Sequence, residues 1–75
     1  GYSIIELSPP KDFIGKSLQE LDLINRLGIQ IIAVKEVIKD QLVFIPTAKF
    51  VLKDSDILIM LGRNESLDKL KVNAK

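Results

Sequence analysis

Cysteine and histidine are both absent from this chain. Their absence removes thiol nucleophiles, disulfides, imidazole bases and the usual zinc ligand sets, and with them most common catalytic constellations. No apolar run approaches the roughly 20 residues of a membrane-spanning helix, and no charged-then-apolar signal segment opens the chain. An excess of one charge is lacking too. Eleven Lys and Arg face ten Asp and Glu, a balance with no broad field to draw in nucleic acid or an acidic membrane surface. Glycine is sparse, and no Gly-x-Gly-x-x-Gly occurs, so the dinucleotide fingerprint is missing. The absence of cysteine fits a cytosolic setting.

What is present is apolar. The 47% of hydrophobic residues against 28% charged is enough to offset the entropy of ordering. The 75 residues make one domain at most, and a domain of this size buries only about 60% of the surface its unfolded chain exposes. Self-association would therefore help it. The chain opens on Gly1 rather than Met and enters a strand pattern at once, as a lobe cut from a longer polypeptide would.

The stretch Tyr2 to Leu7 is rich in β-formers, and Pro9 and Pro10 close it. Ser17 and Glu20 then make the Ser-x-x-Glu capping pattern of a helix start. Leu18, Leu21, Ile24 and Leu27 recur at steps of three, which predicts one helix from Ser17 to Gly28. Gly28 ends it, because glycine takes the left-handed conformation of a helix C-terminus without a Cβ clash. Ile29 to about Glu36 reads as a central strand, and Lys39-Asp40 as the turn of a hairpin to Gln41–Ile45. Pro46 interrupts that strand. Phe50-Val51-Leu52 supplies an apolar plug, Asp56 to Gly62 a fourth strand, and Asn64 the cap of a short helix carrying Leu67, Leu70 and Val72. Lys69, Lys71 and Lys75 sit near that helix's negative end, and the last few residues are expected to fray.

The order is β-α-β-β-β-α, which predicts an α+β module: a small, largely antiparallel sheet with two packed helices. Few of its residues suggest chemistry. Asp54 and Asp56 lack the Asp-x-Asp-x-Asp-Gly loop and distant Glu of a calcium site and read as a charged turn. Glu20 and Asp22, two apart on a helix, point to different faces and fail as an acid/base pair. The Gly62-Arg63-Asn64 junction offers amides and an arginine to an anion, but turning and capping already explain it. Arg26 serves as a cation at a helix C-terminus or as a ligand contact. With no converging carboxylates, the chain reads as no enzyme.

Residues Tyr2 to Leu7, Gly15-Lys16-Ser17-Leu18 through Leu21, Gly28 to Val34, Ile45-Pro46, and Leu52 through Asp56 to Gly62, in this order and spacing, resemble the C-terminal regulator-of-potassium-conductance domain, also called TrkA-C. The resemblance spans nearly the whole chain. It implies a single regulatory domain over residues 1–75, downstream of a Rossmann lobe that would hold any NAD or ATP. It also implies a homodimer within a cytosolic ring that gates an integral-membrane potassium channel or transporter. The lobe would then be cytoplasmic and peripheral to the membrane's inner face, without inserting, and without nucleic acid as a partner.

Some family members bind cyclic di-AMP between two copies, and the resemblance assigns that ligand to Leu18, Gln19, Ile24 and Pro46, with Arg26 as a further candidate. It places the dimer interface on Leu18, Leu21 and Ile24. Where the family commonly has an arginine, this chain has Ile24; Arg26, two positions on, is rotated by about 200° along a helix. Ser55 and Ala48-Lys49 also depart from the family's pattern.

Overall fold

The periodicities resolve into strands and helices of the expected kinds in the computed structural model, which describes the backbone of residues 1–73 and side chains as far as Lys71. The strands are β1 (Tyr2–Leu7), β2 (Gln30–Glu36), β3 (Gln41–Phe44) and β4 (Asp56–Arg63). The helices are α1 (Leu18–Leu21), α2 (Leu23–Leu27) and α3 (Asn64–Asn73), and a 3-10 turn covers Lys11–Phe13. All pairings are antiparallel, in the order β1-β4-β2-β3, so the last strand in the chain lies inside the sheet beside β2.

The register sorts side chains onto two faces. Opposite partners such as Ile5 and Met60, Leu7 and Leu58, and Val34 and Leu58 look toward the helices. There Leu58, Met60 and Val34 are fully buried with Ile29, Leu52 and Leu67. The alternate residues, among them Tyr2, Ile4, Leu61, Leu42 and Phe44, face outward and stay exposed. Leu52 is the buried member of the expected plug, while Val51 is exposed.

Three expectations need correction. The single helix from Ser17 to Gly28 is two short ones, because Asp22 takes φ 50° and ψ 46° and breaks the first after four residues. The third strand stops at Phe44, since Ile45 also adopts a left-handed φ of 52° before Pro46. Asn64 is the first residue of α3 and its side chain faces β1: Ser3 Oγ donates to Asn64 Oδ1 at 2.6 Å, and Asn64 N donates to Gly1 O. The Val72 side chain, Lys75 and the fraying end lie outside the described residues.

Two glycines matter. Gly28 closes α2 at φ 68°, with its N–H donating to Ile24 O at 2.9 Å. Gly62 sits where β4 passes the core: a Cβ there would stand 3.0 Å from Ile29 Cγ1 and 3.4 Å from Leu67 Cδ2.

Candidate functional site

A half-open concavity of about 280 Å³ lies between the short helices, the start of β2 and the segment after β3. Local chemistry builds each wall. Ser17 Oγ accepts from Glu20 N at 3.1 Å while Glu20 Oε1 accepts from Ser17 N at 2.9 Å, the reciprocal cap the sequence predicts. The Ser17 N–H, and after it the Ser17 hydroxyl, hold the Glu20 carboxyl below its ordinary pKa. The next amides reach across the groove's base, Leu18 N to Phe50 O at 3.0 Å and Gln19 N to Ala48 O at 2.8 Å. Thus α1 is fastened to the segment that carries Pro46 and Ala48.

Asp22 then turns the chain. Asp and Asn tolerate the left-handed region better than other L-residues because their short side chains can hydrogen-bond locally. Here Asn25 Nδ2 donates to Asp22 Oδ1 at 2.8 Å. The break swings α2 so that Leu23 enters the core and Ile24 is left 57% exposed on the groove wall. On the far side, a bulge at Ile32 bends β2, and Ile45 N donates to Ile32 O at 2.7 Å. This fixes the strained Ile45 and sets Pro46 over the opening.

The fold brings Leu18, Gln19, Ile24 and Pro46 together as lining residues of this one groove. Arg26 is not among them: it lies in the last turn of α2, and its Nη1 donates to Leu21 O at 3.4 Å, back along the helix pair. Leu21 is 4% exposed and belongs to the core, so it offers no surface to a second copy; the αL break at Asp22 turns that side chain inward. Sequence reasoning did not assign Asp22, Gln30 and Ala48 to a binding site, and they also line the groove. Gln30 carries a usable signal, being the one polar residue between Gly28 and the run Ile31 to Val34.

The groove is apolar at its base, from Leu18, Leu23, Ile29 and Ile31, and polar at Gln19, Gln30 and Asp22. Among the described residues, no Lys or Arg lines it. The lining offers a carboxylate and two carboxamides beside apolar side chains.

A second polar cluster lies at the other end of β2. Asp56, taken from the sequence as part of a charged turn, is 1% exposed, and its Oδ2 accepts from Lys53 N at 2.8 Å. Lys53 Nζ reaches Glu36 Oε2 and Asp56 Oδ2, which lowers the Glu36 pKa and raises that of Lys53. This knot clamps the turn into β4.

A family model described as the TrkA-C domain matches residues 2–74. Among solved structures, the chain is similar to the C domain of the potassium transport protein KtrA in complex with cyclic diadenosine monophosphate (c-di-AMP), at 33% identity. That likeness covers 96% of this chain and 82% of that one, with a TM-score of 0.85. The GsuK RCK domain shares the fold at TM-score 0.83 and 20% identity, over 99% of this chain but 16% of that one. The RCK_C domain dimer of S. agalactiae BusR in complex with c-di-AMP shares it at TM-score 0.75 and 21% identity, over 96% and 86%. No curated protein matches the chain.

Proposed function

The chain belongs to the TrkA-C domain family, and on that premise we propose that it is a dimerising regulatory lobe of a potassium transport assembly, taking a small effector between two copies. The observation that carries this reading is the half-open groove. Its volume of about 280 Å³ falls just under the ~300–1,000 Å³ typical of a small-molecule pocket, and one side is open. A second copy laid over the open side would complete the wall that the single chain lacks. The exposed Ile24 gives that contact an apolar anchor.

The mechanism is a change of angle between paired lobes, passed to a membrane-embedded potassium channel or transporter subunit by way of a preceding Rossmann lobe that holds any NAD or ATP. An effector drives such a change only by binding the two arrangements unequally. The lobe itself then acts on the cytoplasmic side, within a larger ring.

Cyclic di-AMP is held by the KtrA and BusR relatives, and the residues here fit it in part. The apolar base formed by Leu18, Leu23, Ile29 and Ile31 accepts the flat face of a base. The lining supplies no cation to a phosphodiester, so that half of the ligand does not fit. The apolar wall at Ile24 also favours a second reading, a lobe that only cements the ring with Ile24 as dry interface.

Sedimentation equilibrium of the purified chain tests the pairing. A dimer at micromolar concentration that becomes a monomer in Ile24→Asp is expected. A monomer throughout the high micromolar range overturns it.

A further inference from the structure

We infer that the groove of this chain selects an uncharged or cationic, nitrogen-bearing ligand with a flat apolar body, and rejects phosphodiesters. The inference rests on the paired-groove reading above and concerns what that groove admits.

Three features of the lining carry it. The first is charge. Asp22 contributes a carboxylate, Gln19 and Gln30 contribute carboxamides, and among the described residues no lysine or arginine lines the cavity. Two copies related by a two-fold axis would bring two carboxylates to one site. A cyclic dinucleotide brings two anionic phosphodiesters, and like charges in a partly desolvated cleft repel more strongly than in water.

The second is the fate of the backbone donors. A helix start binds anions when its first amides are free. At α1 they are committed: Leu18 N to Phe50 O, Gln19 N to Ala48 O, and Glu20 N to Ser17 Oγ. The groove therefore cannot use them to replace missing cations. The third is Arg26, the cation nearest in sequence to the Ile24 wall, whose guanidinium donates to Leu21 O. Asp22 Oδ1 already accepts from Asn25, and a carboxylate has further acceptor sites for a ligand N–H. An amino-bearing heterocycle seated on the apolar base finds acceptors in the Asp22 carboxylate and the two carboxamides, whereas a phosphodiester finds only neutral amide donors beside a carboxylate that repels it.

Two exposed lining positions allow a direct test. Gln19→Lys and Gln30→Lys each add a cation to a different wall without touching the core or the apolar anchor at Ile24, and circular dichroism checks that both variants fold. Cyclic di-AMP is titrated calorimetrically into the wild-type chain and both variants at low and high ionic strength. The expected result is no detectable wild-type binding at either ionic strength. Each variant is expected to gain about tenfold or more in affinity, weakening as salt rises. Detectable wild-type binding, or variants that gain nothing, overturns the inference.

Adenosine and adenosine monophosphate, the same base without and with phosphate, complete the test. Adenosine is expected to shift the amide resonances of Leu23 and Gln30 at the lower concentration. The reverse order, or no shift from adenosine, overturns the inference. Sedimentation of the same samples reads the pairing separately, so a dimer that prefers the phosphate refutes only the charge selection, whereas a monomer refutes the paired groove.

Discussion

Lys53 Nζ lies 2.9 Å from Glu36 Oε2, tying the turn before β4 to the far end of β2. The same ammonium is 3.4 Å from Asp56 Oδ2 and 5.0 Å from the centroid of the Phe50 ring, so one half-exposed lysine serves two buried carboxylates. Removing one partner of such a cluster costs more than the cluster contributes, because uncompensated charge stays behind. Lys53→Met is expected to lower the melting temperature by more than about 4 °C near neutral pH. An unchanged melt followed by circular dichroism would count against the clamp.

The same cluster sets a pH dependence. The hydrogen bond from Lys53, and then its charge, holds the Glu36 carboxyl below the ordinary glutamate value. The folded state therefore gives up this proton more readily than the unfolded chain. Its contribution is complete above about pH 4.3, the unperturbed value, and is lost as pH falls through the depressed one. Urea midpoints across an acidic pH series are expected to fall more steeply for the wild type than for Lys53→Met.

Gly62→Ala is a test of packing. Its new methyl would meet Ile29 Cγ1 at 3.0 Å, and Ile29 is fully buried with a side chain stiff at χ1, so it yields little. A loss of about 1–3 kcal/mol is expected by chemical denaturation. A neutral result would mean that Ile29 has room the structure does not show.

Ile45 offers the opposite sign. A β-branched residue at φ 52° carries a cost of roughly 1–2 kcal/mol that asparagine largely avoids. Because Ile45 is 63% exposed, Ile45→Asn gives up little burial in the single chain. It is expected to raise stability by about 1 kcal/mol, read as a rise of some 4–8 °C in melting temperature. A fall would show that the strain is offset by contacts of the isoleucine side chain.

These residues also mark how far the sequence could be read. Local signals were legible: the Ser17 and Glu20 cap, the glycine stop at Gly28 and the apolar run of β4; the set Leu18, Gln19, Ile24 and Pro46 came from the family resemblance alone. Asp22 gave no warning, because apolar spacing continues through it from Leu21 to Ile24 and neither Gly nor Pro marks the break. Asn64 looked like a local cap, but its side-chain acceptor is taken by Ser3 from the far end of the sequence. Asp56 read as part of a charged turn, and its burial follows only once β4 lies inside the sheet beside β2. Long-range pairing decided Asn64 and, through Glu36, the Lys53 cluster, while the break at Asp22 is a local turn; periodicity carries no record of either.

Placing β4 between β1 and β2 also sets a clock on synthesis. A ribosome must release Arg63 before Tyr2 has its opposite residue or Ile31 its neighbour Met60. Until then the nascent chain holds at most the β2–β3 hairpin, and a lone hairpin is marginal in water. Its pairings are non-local, which places folding toward the slower end for so small a chain. The groove, whose β2 wall is registered on β4, comes into being only as the final strand slides home.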